Sequence, residues 1–149
     1  MPKYQIPSLW FYWLLLVVVG VMLAGISMIL APGLIRQTFS SLLYASAGAI
    51  DSDFNAPAIA YVTLLHGVLG AVMFGWGAAL LLVLLGPLRR GSREGWTIFA
   101  VSLVAWFVPD TLFSLWTGFW QNATLNLLSA LLFAIPLVAT FKSCQRGHV

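Results

Sequence analysis

The sequence predicts an all-α integral membrane protein, a bundle of four transmembrane helices, and three observations carry that class. Of 149 residues, 61% are hydrophobic and only 7% are Asp, Glu, Lys or Arg, where a water-soluble domain carries about 25% charged residues. The mean hydropathy is +0.97. Four apolar stretches, 9–30, 61–85, 96–116 and 123–141, are each long enough to cross a hydrocarbon core of about 30 Å at about 1.5 Å rise per residue. Backbone groups in lipid must be satisfied internally and these runs are too long for barrel strands, so each is a helix. Residues 1–149 therefore form one transmembrane domain, with 31–60 as a long outer loop.

The first span follows Lys3 and carries Trp10, Tyr12 and Trp13 near its start, where amphipathic rings suit the headgroup level. It runs into Ala31, Pro32 and Gly33 with no small-x-small cleavage site, so it is expected to remain as a helix rather than leave as a signal peptide. In the outer loop, Leu34, Ile35, Phe39, Leu42 and Leu43 recur at helical spacing against Arg36, Gln37, Ser40 and Ser41, the pattern of a short helix lying in the interface. A looser stretch with Ser46, Gly48 and Ser52 follows, and Asn55 with Pro57 starts the second span. Asp51, Asp53 and Asn55 match the first oxygen ligands of an EF-hand loop, but Ala56 and Val62 stand where its glycine and bidentate Glu belong. No metal site is expected.

On the second span, Gly67, Ala71, Gly75 and Ala79 repeat at i, i+4, removing side-chain bulk from one stripe so that another helix can approach. Gly70 and Gly77 lie beside this stripe, and Gly20 with Ala24 on the first span would match it. The third span opens at Trp96 and contains Pro109, which frees the carbonyl of Ala105. The fourth carries Pro136, and Asn122 at its outer edge reads as a helix cap.

Six of the seven basic residues, Lys3, Arg89, Arg90, Arg93, Lys142 and Arg146, fall on one side of this arrangement, with Arg36 as the exception. The positive-inside rule then sets both termini in the cytoplasm, and the expected location is a bacterial plasma (inner) membrane. Three arginines in a short loop against the bilayer make contact with anionic lipid, not a nucleic-acid surface. Cys144, the one cysteine, falls on the reducing side, which excludes a disulfide framework. One histidine within the spans is too few for two histidine ligands to a haem, and no cofactor is expected.

Function is read from the polar residues that remain in the spans. His66 and Asp110 lie at one depth, roughly 8–9 Å below the outer surface by helical rise, with Thr63, Ser114, Asn122 and Asn126 near that layer. An isolated carboxylate in hydrocarbon is costly, so Asp110 must find a donor, be protonated or face a cavity. The expectation is an outer-leaflet pocket that binds, or transforms by acid–base chemistry, a lipid-like molecule. There His66 and Asp110 would act as the catalytic pair, with Thr63, Ser114, Asn122 and Asn126 around the ligand. Two alternatives are a structural subunit, docking through the small-residue stripe in a homo-oligomer or on another membrane protein, and a small proton-coupled transporter using Asp110.

Overall fold

The structure, a computed structural model, describes residues 5–44 and 49–145. Lys3 and Arg146, counted above on the basic side, and Ser46 and Gly48 of the outer loop lie outside those residues. The described residues are 90% helix, with no strand among them. Its elements are α1 (Ser8–Leu30), α2 (Pro32–Tyr44), α3 (Ala49–Asp53), α4 (Ala56–Val83), α5 (Arg93–Trp116) and α6 (Trp120–Gln145). A π-helical turn, Leu84–Leu88, prolongs α4.

The segments Ser8–Leu30, Ala56–Leu88, Arg93–Trp116 and Trp120–Gln145 are long and apolar enough to cross a membrane. Leu16, Leu82 and Val138 are 75%, 73% and 73% exposed on their faces, an arrangement that suits lipid and not water. The protein is an integral membrane protein.

All four spans exceed their sequence-predicted limits, the second and fourth furthest and for local reasons. The Oδ1 of Asn55 accepts the N–H of Ala58 at 3.0 Å, so the cap starts α4 at Ala56 rather than at 61. The last span runs from Trp120 to Gln145 rather than 123–141, and Lys142 in its final turn complements the helix dipole. Cys144 is consequently a buried residue of α6, 2% exposed. The stretch expected to be loose contains the single helical turn α3.

The chain divides into two compact units. The first comprises residues 1–19 and 78–149. Here α5 and α6 run antiparallel around Phe99 and Phe133, whose ring centroids are 5.9 Å apart and which are 0% and 1% exposed. The indole N–H of Trp96 donates to the carbonyl of Leu137 at 2.8 Å, and that of Trp13 to Leu132 at 2.9 Å. Both tryptophans thus bond to helix carbonyls rather than serving only as headgroup anchors. The π turn is closed by Arg89 N–H to the carbonyl of Leu84 at 3.0 Å. Its wider spacing tolerates Pro87, which has no N–H to give. Gly95 lies so close to this turn that a Cβ would stand 2.7 Å from the nitrogen of Leu88. The N–H of Ile6 reaches the carbonyl of Arg89 at 3.4 Å, and the Arg89 guanidinium lies 4.7 Å from the centre of the Phe11 ring. The start of α1 and the α4–α5 loop are therefore at one end of this unit.

The second unit comprises residues 20–77. In it α1 and α4 approach backbone to backbone at Gly25 and Gly70: a Cβ on Gly25 would stand 2.6 Å from the carbonyl oxygen of Gly70, and one on Gly70 2.5 Å from that of Gly25. Within this unit the close approach is made by Gly25 and Gly70. Nothing lies within 4 Å of a Cβ built on Gly67, Gly75 or Gly20, and Ala71 and Ala79 are exposed. The small-residue stripe faces outward, while its neighbour Gly70 makes the crossing.

Candidate functional site

The polar residues of the spans form a group in each unit. In the first, the α5–α6 connection creates the geometry. Gly118, at φ 84°, takes the left-handed conformation that favours glycine. Its N–H bonds to the carbonyl of Leu115 at 3.2 Å, and that of Phe119 to the carbonyl of Ser114 at 2.8 Å. These two bonds end α5 in a Schellman turn and reverse the chain within a few residues. The reversal sets the first turn of α6 against the last two turns of α5.

Asn122 therefore does not cap its own helix. Because α6 begins at Trp120, Asn122 lies inside its first turn, and its Nδ2 donates across to Ser114 Oγ at 2.8 Å and to Asp110 Oδ1 at 3.2 Å. The Ser114 hydroxyl is shared between the Asp110 backbone carbonyl, at 2.7 Å, and Asp110 Oδ1, at 3.3 Å. Ser114 is buried, whereas Asp110 and Asn122 are half-buried. Both side-chain contacts fall on Oδ1 of Asp110, and no described residue bonds to its Oδ2 or pairs a cation with it.

Asn126 lies one turn further along the same face of α6. It is 5% exposed, and its Nδ2 is buried without a hydrogen-bond partner. The hydroxyl of Thr111, next to Asp110, is likewise buried and unpartnered. An unmet buried donor costs about 1–3 kcal/mol, so Asn126 is the more informative of the two: a threonine hydroxyl can turn to a carbonyl of its own helix, while a buried amide needs an outside acceptor.

In the second unit, Arg36 of α2 holds Asp51 of α3 and Thr63 of α4. Its Nε and Nη2 lie 2.9 and 2.8 Å from Asp51 Oδ1, and its Nη1 donates to Thr63 Oγ1 at 3.0 Å. This is the one ion pair among the described residues. His66, one turn beyond Thr63, has Nδ1 at 2.7 Å from the carbonyl of Val62. A carbonyl only accepts, so Nδ1 carries the proton and Nε2 is the nitrogen left for other chemistry. Phe39 meets the imidazole edge-on at 5.6 Å. Thr63 thus belongs to a latch rather than to an open ligand wall.

The pairing of Arg36 with Asp51 was not expected on sequence grounds, although the signal existed: Arg36 is the one basic residue off the basic side, and the same loop holds acidic partners. Among the described residues, no group of three or more His, Cys, Asp or Glu side chains is arranged to hold a metal ion. No protein-family model matches this chain, and neither a curated protein nor a solved structure is similar to it.

Proposed function

We propose that this protein binds a lipid-like amphipathic molecule through the polar group around Asp110, at the outer face of the membrane. The observation that carries the reading is the one-sided use of the carboxylate: Oδ1 receives both neighbouring donors, and Oδ2 receives none from the described residues. A half-buried carboxylate with a free oxygen and no cation gains from a donor brought by a ligand. The unpartnered amide of Asn126 adds a donor that a ligand oxygen would satisfy.

The orientation has its own support. The α4–α5 loop and the end of α6 bring Arg89, Arg90, Arg93 and Lys142 to one end of the first unit, while Thr117, Gly118 and Phe119 at the other end carry no charge. Basic residues are retained in the cytoplasm, which supports a reading with the Asp110 end in the outer leaflet of a plasma membrane. By its spacing of Leu34, Ile35, Phe39, Leu42 and Leu43, α2 would lie in that outer interface. The proposal rests on the Asp110 group of the first unit alone; His66 belongs to the second unit.

The test is retention of lipid. Mass spectrometry of species that stay with the purified protein through detergent exchange should show a ligand on the wild type that is lost from Asp110→Asn and reduced in Asn126→Ala, with both variants folded. The same species at the same stoichiometry on wild type and Asp110→Asn would end the proposal.

A second reading, a subunit of an oligomer or larger membrane complex, is favoured by one observation. Gly67 and Gly75 have open space around them and Ala71 and Ala79 are exposed, so the stripe is free to receive a helix from another chain. Gly75→Leu should then abolish association measured by size in detergent, and an unchanged size would remove this reading.

A further inference from the structure

We infer that the groove between the start of α5 and the end of α6 binds the headgroup of an anionic phospholipid at the basic end of the protein. This site is at the opposite end of the α5–α6 pair from Asp110 and does not depend on the reading above. The groove has a volume of about 100 Å³, below that of an ordinary small-molecule pocket, and is lined by Arg93, Trp96, Thr97, Phe141, Cys144 and Gln145.

Its floor is apolar and fixed. Trp96 is held by its bond to the Leu137 carbonyl at 2.8 Å, and its ring lies 4.9 Å from that of Phe141 at an interplanar angle of 59°. Cys144, 2% exposed, closes the base. Its mouth is cationic. Arg93 is exposed and has no ion-pair partner among the described residues, and the same holds for Arg90 in the preceding turn and Lys142 beside Phe141. Glu94 is the one carboxylate in that stretch. The Thr97 hydroxyl donates to the Arg93 carbonyl at 2.9 Å, which leaves its oxygen free only as an acceptor.

A guanidinium presents a planar fork that fits phosphate oxygens. A free phosphate would use that fork and leave the aromatic floor bare. A phospholipid uses both, with the phosphodiester at Arg93 and the glycerol and first methylenes over Trp96 and Phe141. Charge complementarity selects an anionic headgroup, because a zwitterion would bring its ammonium toward Arg90, Arg93 and Lys142.

The test uses the full chain in detergent, titrated with dihexanoyl phosphatidylglycerol, dihexanoyl phosphatidylcholine and inorganic phosphate, with bound lipid counted by native mass spectrometry. One phosphatidylglycerol should bind at least tenfold more tightly than phosphatidylcholine, and Arg93→Gln should weaken it by about tenfold, the scale of one charge-assisted contact. Thr97→Glu, which sets a second carboxylate at the mouth, should weaken it at least as much and serves if Arg93→Gln does not fold. Equal binding of the two lipids, full affinity in both folded variants, or displacement of the lipid by equimolar inorganic phosphate would overturn the inference; the last would make free phosphate the ligand.

Discussion

The indole N–H of Trp13 donates to the carbonyl of Leu132 at 2.9 Å, and Leu132 is the residue whose helical donor is missing because Pro136 stands four positions later. A proline in the middle of a membrane helix thereby gains a partner from another helix, and a tryptophan gains an acceptor. Trp13→Phe should destabilise the protein by about 1 kcal/mol in a detergent unfolding titration. The loss should shrink when Pro136→Ala supplies the missing backbone N–H. An equal loss in both backgrounds would show that the indole and the proline are not coupled.

The crossing of α1 and α4 predicts opposite behaviour for glycines on one helix. Gly70→Ala and Gly25→Ala force a methyl against backbone atoms 2.5 and 2.6 Å away and should cost about 1–3 kcal/mol. Gly67→Ala and Gly75→Ala, with open space around them, should be neutral or gain a few tenths of a kcal/mol from helix propensity. Thermal unfolding of the four single variants in one detergent compares them directly.

Asn122 and Asp110 offer a swap experiment. Asn122→Asp alone sets two carboxylates against each other in place of an amide donor 3.2 Å from Oδ1, and should lower the melting temperature by several degrees. Adding Asp110→Asn restores one carboxylate and one amide across the same pair of helices and should recover most of the loss. No recovery would mean that the position of the charge, and not the hydrogen bond, holds the two helix ends together.

The Arg36–Asp51 pair is partly open, with side chains 15% and 35% exposed. A double-mutant cycle with Arg36→Gln and Asp51→Asn should give a coupling of about 0.5–1 kcal/mol that falls as salt rises. A coupling insensitive to salt would place the pair in a drier setting than its exposure indicates.

The four spans are legible in the sequence because apolar length alone sets them. Their ends are less so: Asn55 caps α4 early, and Lys142 extends α6 past the apolar run. Ser114 and Asn122 are legible as neighbours of Asp110, but the direction of the Asn122 side chain depends on the left-handed Gly118, whose turn fixes how α6 returns along α5. The stripe at Gly67, Ala71, Gly75 and Ala79 shows how spacing reports the opportunity for close packing without naming the partner: the contact in the chain uses Gly70, the adjacent strip. Trp13 and Trp96 follow the same rule, since an aromatic residue near a helix end satisfies both the anchor pattern and the pattern of a donor to a neighbouring helix. Arg36 finding Asp51 requires α2 and α3 to fold back on each other, which local spacing does not encode.

The π turn at Leu84–Leu88 sets the angular phase of everything that follows it. A π turn accommodates one residue more than the α-helix it interrupts, so the direction in which Arg89 and Arg90 leave α4 is tuned by a single position. Deleting one residue between 84 and 86 would return the segment to α geometry and leave both arginines near their present phase, whereas restoring α geometry with every residue kept would swing them by about 100° around the helix axis. The fit of Gly95 against Pro87 and Leu88 then acts as a keyway, admitting α5 in one rotational setting and holding the basic loop in the phase that the extra residue provides.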